Sequence, residues 1–144
     1  TRVALSPSFP GLRCFSQGRE FKQWTGNDSK PLMKVFLPAI VDFIPGKMFH
    51  AIVAFLEFCY IVCQPCLDEA DLEALDSALK CFEVECTIFE EVGICPNGIS
   101  IPHIHALQHY HQLIQQFEAP NGLCTSITES KHIDAVKKPW RKSN

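Results

Sequence analysis

From Leu72 onward the apolar positions of this chain step by three and four: Leu72, Leu75, Leu79, Phe82, Cys86 and Phe89. That is the period of a helix, and it runs through "LDEADLEALDSALKCFEVECTIFEEVG" as a seam like that of a coiled coil. Asp68 is the expected cap, acids fill the first turn, and Gly93 lies just beyond the end. Upstream, "PGKMFHAIVAFLEFCYIVCQP" predicts a helix opened by Pro45 and closed before Pro65. Its Met48, Ile52, Phe55, Leu56 and Cys59 are spaced as a core stripe. Before that, "NDSKPLMKVFLPAIVDFI" offers Asp28 or Ser29 as cap and Pro31 in the first turn, where a missing N–H costs little. Leu32, Val35, Phe36, Ile40 and Phe43 share a face there, and Pro38 predicts a break into two short pieces.

Downstream, the loop "GICPNG" leads to "SIPHIHALQHYHQLIQQF", a helix capped by Ser100, with Ile104, Leu107, Tyr110, Ile114 and Phe117 inward. "EAPNGLCTS" is turn material, and a last helix follows until Pro139 halts it. No segment alternates at period two and no internal repeat is present. The pattern predicts a mainly α helical bundle in three parts. Residues 1–28 form an extended N-terminal segment, with Phe15, Phe21 and Trp24 available to anchor it; residues 29–120 are helical; residues 121–144 carry the last helix and a basic tail.

Composition agrees with a packed domain: 47% hydrophobic and 20% charged residues over 144 positions. The formal charge of -3 gives no whole-chain reason to expect nucleic acid. Its distribution is uneven, however. Residues 68–91 hold nine acids against the single Lys80, while the tail concentrates Lys137, Lys138, Arg141 and Lys142. The acidic helix is a possible protein-binding face. The opening residues lack a secretory signal, and both ends read as cuts through a longer protein. The most apolar run, Ala51 to Cys63, is thirteen residues long and contains Glu57, too short for the roughly 20 residues of a membrane span. It reads as a buried core helix, so no membrane partner is expected.

Eight cysteines raise disulfide, zinc and redox readings. Cys63 and Cys66 have the spacing of half a zinc site, but the first downstream histidines, His103 and His105, are almost forty residues away. A redox pair needs a helix N-terminus to lower the thiol pKa, and these cysteines follow a helix C-terminus. His105 and His109 are i, i+4 neighbours, yet Ala106 stands where a zincin has Glu. The cysteines are expected to be reduced and structural, and zinc is not expected.

"SITE", Ser126 to Glu129, fits a capping box. It leaves Glu129 on the same face as His132, Ile133 and Val136, facing partly inward. From residue pattern alone Glu129 is either a reciprocal cap or a carboxylate of a metal site.

Four blocks bear on that choice: "FPGLRCFSQGREFKQWTGNDSKPLMKVFLPAI", "AFLEFCYIV", "HALQHYHQLIQQFEAPNG" and "LCTSITESKHIDAVKKPWRKS". Together they resemble the C-terminal half of Plavaka-type transposases, CACTA-related DNA transposons common in mushroom-forming fungi. The resemblance implies a DDE/D transposase with a ribonuclease-H-like core, in which three acids hold two divalent ions, usually magnesium. It implies that the helical stretch is the insertion after the second acid and that Glu129 is the third acid, both catalytic residue and metal ligand. Lys131, His132, Lys137, Lys138, Arg141 and Lys142 would then lie along DNA, in the nucleus. The two preceding aspartates have no counterpart here, so the resemblance implies a fragment that is inactive alone. The alternative is a non-catalytic helical interaction module or a transposon-derived relic.

Overall fold

Asp68 starts the best-defined element. Its side chain accepts a hydrogen bond from the Asp71 backbone N–H at 2.9 Å, and the Asp71 carboxylate accepts one from the Asp68 N–H at 3.1 Å. This reciprocal box satisfies two donors that helix geometry leaves open and places negative charge at the positive end of the dipole. The computed structural model describes residues 2–5, 10–15, 26–99, 102–120, 135–136 and 138–139. Within them the fold is mainly α, with no β-strand among the described residues. In chain order, helices α1 (Gly26–Ile40), α2 (Gly46–Val62), α3 (Glu69–Glu85), α4 (Ile88–Glu91), α5 (Pro102–Leu107) and α6 (Tyr110–Phe117) follow a short 3-10 turn at Arg2–Leu5.

The centre is a helical hairpin. α2 and α3 pack along their length, joined by the turn through Cys63 to Leu67. Ala51, Ala54, Phe58 and Ile61 of α2 meet Leu72, Leu75, Ala78, Leu79 and Phe82 of α3, and Ile114 of α6 closes the cluster. The stripe of α2 differs from the expected one. Met48 and Leu56 are buried as predicted, but Ile52 and Cys59 are only half-buried and Phe55 is 37% exposed. Two alanines, Ala51 and Ala54, occupy the line of contact instead, because small side chains let the two backbones approach closely.

The seam of α3 is as expected from Leu72 to Phe82. It is not one continuous helix to Glu91, since the chain turns at Cys86 and Thr87 before α4. There the Cys86 thiol donates to the Glu83 carbonyl at 3.1 Å and the Thr87 hydroxyl to the Val84 carbonyl at 3.2 Å. Such side-chain bonds compete with the backbone ladder and favour an interruption. Gly93, with φ 74, follows α4 in the left-handed conformation that glycine adopts without cost.

The opposite correction applies to α1. It runs unbroken from Gly26 to Ile40 through both Pro31 and Pro38, where two pieces were expected. Pro38 lies in the last turn, so its missing N–H removes one bond just before the helix ends. Because α1 begins at Gly26, neither Asp28 nor Ser29 is its cap. Asp28 is instead buried within α1 and pairs with Arg13. The helix stops before Phe43, which is 67% exposed and lies under the Arg2 guanidinium at 4.3 Å. Phe15 anchors the N-terminal segment as expected, buried with Val3 and Val35 in a second small core. Phe21 and Trp24 lie outside the described residues.

The fourth predicted helix is two. Gln108 and His109 donate to carbonyls three residues back, those of His105 and Ala106, and this tight turn separates α5 from α6. Side chains then tie the pair to the hairpin. Gln108 donates to Glu83 at 2.8 Å, His111 Nδ1 meets Asp76 at 2.7 Å, and Tyr110 stacks edge-on against Phe58 at 5.4 Å.

Candidate functional site

An apolar cleft of about 370 Å³ lies beside the hairpin. α2 contributes Ile52 and Phe55, α3 Phe82, α4 Phe89, and α5 Ile104 and Leu107, with Ile99 in the preceding loop. Phe55 and Phe82 stack at 5.3 Å across the hairpin. The break after α3 and the turn before α6 shape this cleft: they carry Phe89 onto α4 and fold α5 back over the hairpin. Sequence periodicity placed Ile52, Phe55, Phe82 and Phe89 in a continuous core. The missed signal was Ala51 and Ala54, whose small side chains rotate the contact stripe and leave Ile52 and Phe55 facing the cleft.

Three acids of α3 and α4, near the lining residues in sequence, have defined partners. Glu83 sits next to Phe82 and accepts the bond from Gln108, the neighbour of Leu107. A methyl group built on Gly98 would lie 3.7 Å from Glu90 Oε2, so that carboxylate packs against the loop at Gly98. Glu91 pairs with Lys47 at 3.0 Å. The cleft itself presents only apolar side chains. With no polar side chain among the lining residues, it suits binding and offers no acid, base or nucleophile for chemistry.

Of the residues singled out in the sequence, Glu129, Lys131, His132, Lys137, Arg141 and Lys142 lie outside the described residues. Lys138 is exposed. Among the described residues no three His, Cys, Asp or Glu side chains come together as a group able to hold a metal. His105 and His109 do adjoin, ring against ring at 5.2 Å. The described cysteines are free thiols. Burial pushes the Cys59 thiol up to about 11 from the ordinary 9.0, and Cys63 one turn away adds to the rise. Burial also raises Cys86, helped by Glu83 and opposed by a backbone hydrogen bond. Raised thiols carry little thiolate at neutral pH, as structural cysteines do. Among the described residues no helix is long and apolar enough to cross a membrane.

In comparisons with protein-family models, curated proteins and solved structures, nothing matches this chain.

Proposed function

We propose that this chain is part of a Plavaka-type DDE/D DNA transposase, comprising its helical insertion and the acid-bearing segment that follows. The observation that carries the reading is the likeness of its long first and last blocks, around "FKQWTGNDSKPLMKVFLPAI" and "LCTSITESKHIDAVKKPWRKS", to that family. The helical character of residues 26–99 and 102–117 supports it, because a mostly helical insertion lies between the second and third acids in related families. In this reading Glu129 is the third carboxylate, and Lys131, His132 and the basic residues 137–142 contact phosphates of the transposon ends in the nucleus. Two bound magnesium ions would supply activation of the attacking hydroxyl and stabilisation of the leaving oxygen. In this reading one carboxylate cannot position two ions, and two aspartates that the family places ahead of the insertion complete the site.

The test is strand cleavage by the full-length protein on DNA bearing its own terminal repeats. Glu129→Ala abolishes cleavage while costing no more than a helix cap, about 0.5–2 kcal/mol. Retained cleavage would leave Glu129 a cap and remove the reading. A second reading, a helical interaction module without catalysis, is favoured by the apolar cleft.

A further inference from the structure

We infer that Thr87, at the break between α3 and α4, is a phosphorylation site for a serine/threonine protein kinase that selects acidic substrates, and that Lys47 of α2 receives the phosphate. The inference stands apart from the transposase reading and does not depend on it.

Access distinguishes this hydroxyl. Thr87 is exposed where α3 has ended, and its hydroxyl donates to the Val84 carbonyl at 3.2 Å. The helix that follows it, α4, is a single turn of four residues. A helix that short is marginal in itself, so extending the chain around Thr87 into an enzyme's groove costs far less than opening a long helix. Ser77 makes the contrast. It too is exposed, and its hydroxyl donates to the Glu73 carbonyl at 2.8 Å, but it sits midway along the 17 residues of α3. Reaching it means unfolding the helix that carries Leu72, Leu75, Leu79 and Phe82 of the core.

Charge selects the enzyme. Glu83 and Glu85 precede Thr87, Glu90 and Glu91 follow it, and no lysine or arginine lies between Lys80 and Lys131. A kinase groove lined by lysine and arginine is attracted to such a segment, and one lined by acids is repelled. In the transfer, Thr87 Oγ1 bonds to the γ-phosphorus of ATP as the bond from that phosphorus to the β-phosphate oxygen breaks. ADP leaves, and the hydroxyl proton passes to the kinase's base.

The receiving lysine is already in place. Thr87 Oγ1 lies 3.5 Å from Glu91 Oε1, and Lys47 Nζ lies 3.0 Å from that same oxygen. Hydroxyl and ammonium are therefore no more than about 6.5 Å apart. A phosphoryl group adds a charge approaching −2 and three acceptor oxygens beyond Oγ1, which spans much of that gap. The dianion repels Glu91 and displaces it from Lys47 through a stronger charge-assisted bond. Phosphorylation thus exchanges the partner of Lys47 and ties the α3–α4 break directly to the start of α2.

The test incubates the whole chain with such a kinase and magnesium ATP, maps the phosphate by mass spectrometry and titrates it by phosphorus NMR. Thr87 is expected to carry the phosphate. Thr87→Val should lose it and Thr87→Ser keep it, with circular dichroism showing each variant folded. The second ionisation of the phosphate, at about 6 when unperturbed, should lie roughly half a pH unit lower in the native chain than in Lys47→Gln at low salt. A chain modified elsewhere but not at Thr87, or not modified at all, would overturn the site. Equal titration with and without Lys47 would overturn its role as receiver.

Discussion

Phe55 and Leu75 make a paired test of which face of α2 the core uses. Helical periodicity puts both in the core. In the fold Leu75 is 1% exposed, enclosed by the hairpin, whereas Phe55 is 37% exposed at the cleft. Truncating Leu75 to Ala removes buried methyl groups and leaves a cavity that close-packed neighbours cannot fill, a cost of about 2–5 kcal/mol. Truncating a fully buried Phe costs about 3–5 kcal/mol. For Phe55 that figure shrinks twice: over a third of the side chain is already in water, and the vacated space opens into an existing cleft rather than a sealed void. The remaining cost is on the order of 1–2 kcal/mol, largely the lost stacking on Phe82 and the newly exposed area. Urea unfolding followed by circular dichroism at constant slope reads both differences. In thermal melts the gap corresponds to several degrees, at about 2–4 °C per kcal/mol for a chain of this size. Phe55→Ala costing as much as Leu75→Ala would refute the rotated stripe and, with it, the open cleft.

Two further outcomes are expected. Asp68→Ala should lower stability by about 1 kcal/mol through loss of the capping box, seen as a shift of the urea midpoint, while Asp68→Asn keeps most of it. An unchanged midpoint for the alanine variant would mean that the box contributes nothing. Cys59 gives a pH test. Its folded pKa is raised to about 11 above an ordinary 9.0, so the folded state holds the proton more tightly than the unfolded chain. The contribution is complete below pH 9 and is lost as pH climbs from about 9 to about 11. The urea midpoint should therefore fall more steeply above pH 9 in the native chain than in Cys59→Ala. Equal slopes would contradict the burial of this thiol.

Much of this protein is decided locally, and those parts were legible in the chain itself. The Asp68 cap, the seam from Leu72 to Phe82, the start of α2 after Pro45 and the turn at Gly93 all follow from residue type at fixed offsets. They depend on backbone donors, dipoles and allowed φ angles within one turn of the residue concerned. The resemblance that singled out Glu129 was likewise a property of the sequence. The sequence pattern could not decide which of two adjacent stripes on α2 would meet α3, because Ile52 and Phe55 satisfy the helical period as well as Ala51 and Ala54 do. That choice depended on how closely two backbones could approach, a property of the pair of helices and of neither alone. The interruption at Gln108 has the same origin: that short break is compensated by contacts with other helices, Gln108 with Glu83 and Tyr110 with Phe58. The cleft exists because those tertiary contacts outweigh the continuity of a single long helix.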